Sequence, residues 1–295
     1  MKDYYKYLPV TNTEKEWGFY INTVGYSVTN PLETYPPSKD HPLPHQFTWN
    51  KGRILNGYYL VFISKGRGTF ESALTRSKPV SEGICFLLYP NVWHRYKPDL
   101  NTGWEEYWVG FNGMYPDHIM KNNFGHPENP FFEIGLSEPF LMIFQRLLDN
   151  VRNGLPGYHQ VISGITLEML ATLYNFSTNK HQSQNKDLQL IHKARFMLRE
   201  SLERPIDIPQ MVKELPMSYA KFRKLFKEQT GTSPHQYYLN LRISRAKSLL
   251  QTTELNVNEI AYQSGFESEY YFSKFFKKKV NLSATQYRLL KKQLK

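Results

Sequence analysis

Two stretches near one end of the chain, FRKLFKEQTGTSPHQY at 222–237 and FSKFFKKKVNLSATQY at 272–287, write the same pattern fifty residues apart. Residues three and four apart on a helix share a face. Phe222, Leu225 and Phe226 in the first copy, and Phe272, Phe275 and Phe276 in the second, are therefore expected to point into a core. The outward stripe carries Tyr219, Ala220, Arg223, Lys224 and Lys227 in the first copy, and Glu269, Tyr270, Tyr271, Ser273, Lys274 and Lys277 in the second. Such a face is suited to recognising a polyanion with readable edges. Arg223 can donate two hydrogen bonds to a guanine edge, while Lys227 and Lys277, near helix ends, suit phosphates. Tyr237 and Tyr287, aligned by the repeat, read as scaffold.

The elements that must hold these residues repeat as well. In the first copy DIPQMVKEL reads as a short helix, PM as a turn, and SYAKFRKLFKEQTG as a second helix between an N-cap Ser218 and a terminating Gly231. NVNEIAYQS, GF and ESEYYFSKFFKKKV follow the same plan, with Gly265 at the turn and Ser268 as cap. Helix, tight turn and basic second helix make a helix-turn-helix. Between the copies SPHQYYLNLRISRAKSLLQ has no internal Gly or Pro after its start and apolar or small residues at Tyr238, Leu241, Ala246, Leu249 and Leu250. A continuous helix there would fix the orientation of the two readers. Ahead of them LQLIHKARFMLRESLERP reads as a further helix, ended by Pro205.

Charge agrees with this reading. Residues 187–295 carry 20 Lys and Arg against 10 Asp and Glu, so +10 of the chain's net +11 lies in its last third. That asymmetry is expected when one domain meets nucleic acid. At 295 residues and 40% hydrophobic content the chain is long enough for two cores. The single cysteine, Cys85 in GICFLLY, reads as a small core residue in a reducing compartment. The opening MKDYYKYLPV lacks the apolar run of a signal peptide, and no segment is long enough to span a membrane. The expected location is the cytoplasm.

The front of the chain reads as strands. From Trp49 to Phe111, RILNGYYLVFI, EGICFLLYPNVWHRY and WEEYWVGF are rich in aromatic and β-branched residues, and the two glycines of SKGRGTF suit a tight turn. Several short strands imply a small antiparallel barrel or sandwich. Alternation in WEEYWVGF puts Trp104, Glu106 and Trp108 on one face and Glu105, Tyr107 and Val109 on the other. If the first face points inward, with Arg53 and Tyr96 from neighbouring strands, it would suit a small polyhydroxylated or ring-containing ligand. The alternative is ordinary core, with Glu106 outside or paired with Arg53. His41, His45 and His94 lack metal-ligand spacing, and nucleophile and phosphate-loop motifs are absent, so no metal, cofactor or catalytic residue is expected.

Behind the strands, SEP followed by FLMIFQRLLDNVRNG places Leu141, Phe144, Leu147, Leu148 and Val151 at helical spacing, with Gly154 as stop. GYHQVISGITLEMLATLYNF follows with Val161, Ile165, Leu167, Met169, Leu170 and Leu173. This pair either caps the barrel or forms a hairpin whose outer stripe joins a second subunit, and the homodimer is the preferred reading. The polar STNKHQSQNK then reads as a linker. The expected domains are 1–178, a sensing barrel with dimerisation helices; 179–186, a linker; and 187–295, a DNA-binding domain.

The stretch LRISRAKSLLQTTELNVNEIAYQSGFESEYYFSKFFKKKVNLSATQYR, preceded by FRKLFKEQTGTSPHQY, resembles the AraC/XylS family of bacterial transcription regulators over about the last hundred residues. In that family the second helix of each motif reads the major groove, as assigned above to Ala220, Arg223 and Lys224 and to Tyr271, Ser273 and Lys274. YYLVFISKGRGTF, LLYPNVWHRY and WEEYWVGF are similar to the family's cupin-like sensor barrel. The resemblance puts effector contacts at Tyr96, Glu106 and Trp108, more loosely at Arg53, and implies contact with RNA polymerase. Three departures stand out. Pro216 replaces the usual glycine of the first turn, Val212 a small alanine, and NLSA, with Asn281 and Ala284, the usual G-x-S-P. The expected fold class is α+β: an N-terminal antiparallel cupin-like barrel, a helical dimerisation hairpin, and an all-α double helix-turn-helix. The expected function is a promoter-binding regulator, probed against two alternatives: a cupin-like metal enzyme with a basic appendage, and a regulator whose barrel binds no ligand.

Overall fold

The structure, a computed structural model, describes residues 3–36, 48–178, 186–202 and 206–293. His41, His45, Pro205 and the expected linker up to residue 185 lie outside the described residues. The chain divides into two compact units, Lys2–Gln182 and Ser183–Lys295.

The first unit is built on eight strands, all paired antiparallel: β1 (Tyr4–Tyr7), β2 (Tyr20–Thr29), β3 (Tyr58–Ser72), β4 (Lys78–Ser81), β5 (Ile84–Leu88), β6 (His94–Pro98), β7 (Trp104–Asn112) and β8 (Phe131–Glu133). Their order is β1-β2-β7-β3-β5-β8, with β4 and β6 both pairing to β3. The sequence reading missed β1 and β2, although Gly18 before FYINTVGYSVT and Asn30-Pro31 after it are turn signals that bracket an aromatic and β-branched run. It also put a turn at SKGRGTF, and the structure corrects this: β3 continues through it as one strand of 15 residues. The glycines serve a bend instead. Tyr58–Gly66 pairs with β7, and from Arg67 the strand pairs with β4 and β6, after a register shift between Ile63 and Lys65. Gly66 has φ +83°, and a Cβ there would sit 2.3 Å from the Gly103 carbonyl oxygen, so only glycine lets the strand turn from one half of the sheet to the other. The sheet thereby folds over an apolar cluster drawn from both halves: Tyr59, Val61, Ile63 and Phe70 of β3, Val80, Phe86, Tyr96 and Trp104.

Two short helices, α1 (Asn12–Glu16) and α2 (Met114–Asn123), flank the sheet. The hairpin α3 (Glu138–Asn153) and α4 (Tyr158–Thr178) follows. Ser137 accepts a hydrogen bond from the Phe140 N–H, and Gly154 ends α3 in the left-handed region. Leu141, Phe144, Leu147, Leu148 and Val151 are all fully buried. The hairpin covers the outer face of the sheet: Phe140 and Phe144 pack on Phe62, and Phe144 on Tyr107. In α4 Ile165, Met169, Leu170 and Leu173 are buried, whereas Val161 and Leu167 are exposed, along with Tyr174 and with Met142 of α3.

The second unit is all helix: α5 (Lys186–Glu200), α6 (Ile208–Lys213), α7 (Tyr219–Thr230), α8 (Pro234–Thr252), α9 (Val257–Gln263), α10 (Glu269–Val280) and α11 (Ala284–Gln293). It holds two apolar clusters. Phe222 and Phe226 centre the first with Leu202, Met211, Val212 and Tyr238; Phe272 and Phe276 centre the second with Ile260, Ala261, Phe266 and Ala284. The continuous helix α8 contributes to both. Tyr237 meets Phe226 edge-on at 5.3 Å, and Tyr287 meets Phe276 likewise at 5.8 Å, so the repeated tyrosines are scaffold.

Candidate effector site and nucleic-acid interface

Strand alternation decides which face of β7 is inside. Tyr107 faces outward under α3, so Trp104, Glu106 and Trp108 project to the opposite side, where Trp104 and Trp108 join the interior cluster. Glu106 is buried there and accepts a hydrogen bond from Tyr35 Oη at 2.9 Å. Tyr35 meets Trp104 edge-on at 5.6 Å and lies 6.0 Å from the Tyr96 ring. Arg53, bridged by backbone to His94, donates from Nη2 to Tyr96 Oη at 2.5 Å and from Nε to His94 Nε2 at 3.3 Å. Trp108 Nε1 donates to Thr23 Oγ1 at 3.4 Å. Glu106 and Tyr96, with Arg53 bonded to it, are thus joined through Tyr35 on one interior surface, and Trp108 packs against the same cluster. The sequence reading missed Tyr35, which lies in TYPPS with no periodicity to mark it.

Burial sets the electrostatics of this surface. Desolvation raises Glu106 to about 7, opposed by the Tyr35 hydrogen bond and the Arg53 charge. The Trp104 indole N–H, which lacks a partner of full hydrogen-bond geometry, gives Glu106 only weak further support. Burial, then Arg53, pushes His94 down to about 3. Its Nδ1 lies 3.0 Å from the Val92 carbonyl oxygen and its Nε2 faces Arg53, so the ring is neutral with Nδ1–H donating. Both nitrogens are used within the protein. Among the described residues no three His, Cys, Asp or Glu side chains group as a metal site. Among the described residues the interior offers the Arg53 guanidinium, the Glu106 carboxyl that titrates near neutrality, phenol hydroxyls and flat ring faces. That set suits hydrogen-bonded capture of a small polar molecule.

In the second unit, α7 and α10 carry the basic stripes. Ser218 and Ser268 accept hydrogen bonds from the N–H groups of Lys221 and Tyr271, fixing where each helix begins. Tyr219, Ala220, Arg223, Lys224 and Lys227 are all exposed, as are Glu269, Tyr270, Tyr271, Lys274 and Lys277. Ser273 is half-buried, and Tyr271 stacks on Phe275 at 6.0 Å, so these two are more committed to the helix packing than the sequence suggested. Arg223 lies 6.0 Å from the Tyr219 ring centroid. The departures are accommodated. Val212 is buried, and Pro216 sits exposed in a turn whose residues need no left-handed backbone. Asn281 takes the left-handed cap position with φ 61°, the role of Gly231 in the first copy, and buried Ala284 opens α11. Among the described residues no helix is long and apolar enough to cross a membrane.

Residues 45–160 match the family model described as an AraC-like ligand binding domain, and residues 211–289 the one described as a helix-turn-helix domain. The chain belongs to the AraC family. Its curated relatives include the MmsAB operon regulatory protein of Pseudomonas aeruginosa, 25% identical over 234 residues, covering 78% of this chain and 75% of that protein. The raffinose operon transcriptional regulatory protein RafR of Pediococcus pentosaceus is 25% identical over 252 residues, 82% and 88% of the two chains. The lactose operon transcription activator of Staphylococcus xylosus is 25% identical over 244 residues, 78% and 82%. This AraC-family chain is therefore a DNA-binding transcriptional regulator with a ligand-binding domain.

Proposed function

We propose that this regulator binds a small polyhydroxylated, sugar-like effector inside the N-terminal barrel and reads promoter DNA with α7 and α10. The observation that carries the effector class is the interior set of buried Tyr96 and Glu106 with half-buried Arg53 and Tyr35, beside the Trp104 indole. A buried carboxyl that titrates near neutrality and a half-buried guanidinium suit vicinal hydroxyls, and flat rings suit the apolar face of a sugar. The names of the raffinose and lactose operon relatives support the same class. On DNA, Arg223 and Lys224 in the first reader, and Tyr270 and Lys274 in the second, contact base edges and flanking phosphates. The protein acts in the cytoplasm as a homodimer joined through the exposed stripe of the α3–α4 hairpin, and touches RNA polymerase at the promoter.

Effector binding shifts the population of DNA-competent arrangements by its differential affinity for them. A ligand-free barrel is the competing reading, favoured by Tyr35 already supplying a hydroxyl to Glu106. Thermal unfolding of the intact protein against a panel of mono- and disaccharides and small aromatics separates the two. A true effector at a hundred times its Kd stabilises the fold by about 2.7 kcal/mol, and Arg53→Ala should abolish that shift. A panel without any sugar response, or an undiminished response in the variant, contradicts the sugar assignment.

A further inference from the structure

The two apolar clusters of the DNA-binding unit share no residue, and α8 is the element that serves both: Tyr238 and Leu241 enter the first, Leu239, Ile243, Ala246 and Leu250 the second. A shared helix fixes the distance between two readers, but it leaves their rotation about its axis to side-chain contacts. Arg242 stands at that junction. The Arg242 guanidinium lies 4.3 Å from the ring centroid of Tyr238 and 5.7 Å from that of Phe266. Its Nε is buried and, among the described residues, has no hydrogen-bond partner, although the residue as a whole is half-buried. A cation whose Nε is held there without a hydrogen bond loses hydration, and the two ring faces are what it gains in return.

Both rings lead to a reader. Tyr238 Oη donates to the Ser201 carbonyl at 2.9 Å at the end of α5, and Tyr238 packs in the cluster that supports Phe222 and Phe226 of α7. Phe266 packs on Phe272 at 5.2 Å and on Tyr271 at 6.1 Å, both on α10. The adjoining turn closes against the same junction. Gly265 has φ +80°, and a Cβ there would stand 2.7 Å from the Leu202 carbonyl oxygen and 3.1 Å from Arg242 Nε. Leu202 and Tyr238 belong to the first reader's cluster, Gly265 and Phe266 to the second reader's turn.

We infer that Arg242 is a positioning residue that locks the angle between the two helix-turn-helix units, so that this regulator accepts two half-sites only at one separation. A planar guanidinium between two rings acts as a spacer of fixed thickness, which neither a flexible ammonium nor a truncated side chain reproduces. Major grooves on one DNA face recur about every 34 Å, and each added base pair also rotates the next groove. Locked readers therefore discriminate spacing, and loosened ones tolerate it. The inference rests on the reading that both α7 and α10 contact DNA.

The test starts with selection of duplexes from a random pool by the intact protein. Wild type, Arg242→Ala and Arg242→Lys are then titrated on the selected site and on versions with one or two base pairs added or removed between half-sites. Wild type should lose about tenfold or more per altered spacing, the order of a mismatched base pair. Both variants, with helical circular dichroism unchanged, should bind the original site more weakly yet differ little among spacings. Should Arg242→Ala fail to fold, Arg242→Lys decides the matter. Variants that keep the wild-type spacing preference overturn the inference, as does wild-type selection of one half-site alone. Selection of no motif at all would instead overturn the DNA-reading assignment itself.

Discussion

Arg223 sits exposed on α7 beside the Tyr219 ring. Its replacement by Ala should cost about 1–3 kcal/mol on a specific site, roughly 10- to 100-fold in affinity, because a bidentate contact to one base is lost. The loss should be confined to one base position, read by competition with singly substituted duplexes. Glu106 offers a second test through pH. Its folded-state value is raised by burial to about 7 from an ordinary 4.5, so the fold prefers the neutral carboxyl. The stability this supplies is fully present below 4.5 and is lost as pH rises through about 7, at most on the order of 3 kcal/mol. Glu106→Gln stays neutral and keeps an acceptor for Tyr35. Between about pH 5 and about pH 8 the wild-type Tm should fall relative to that of the variant, and parallel curves would show that Glu106 is not buried as described.

At the scale of elements, the caps make quantitative predictions. Asn281 closes α10 with φ 61° where Gly231 closes α7 with φ 72°. Asn281→Gly should therefore raise stability by about 0.5 kcal/mol, a rise in Tm with unchanged DNA affinity. Gly265→Ala should do the reverse, by more than about 1 kcal/mol, since it combines a left-handed backbone with a close approach to the Leu202 carbonyl. The helices were legible in the sequence because their ends are written in it: Ser137 and Gly154, Ser218 and Gly231, Ser268 all stand where caps belong. The strands were less so. A glycine pair signals a turn or a bend with the same letters, and only the proximity of Gly66 to Gly103, 37 residues away, distinguishes them. The inward face of β7 was readable from its alternation. Tyr35 and Arg242 were not, because Tyr35 is placed by Glu106, far away in sequence, and Arg242 by Phe266 of the second reader's turn as well as by Tyr238 one helical turn earlier.

Over the whole molecule, charge and apolar surface are divided between the two units. The +10 balance of residues 187–295 predicts DNA affinity that falls steeply with salt, with a log–log slope of about −0.9 for each phosphate neutralised. The exposed Leu167 and Tyr174 of α4 lie in the other unit. Sedimentation of the intact protein should show a dimer that Leu167→Lys with Tyr174→Lys converts to monomer. The most direct measurement of the central claim is the affinity of the intact protein for its selected duplex and for random duplex, before and after the double change Arg223→Ala and Lys274→Ala. Sequence reading by α7 and α10 predicts a loss of about a hundredfold or more on the selected site, with much less change on random DNA. Undiminished binding to the selected site would contradict it.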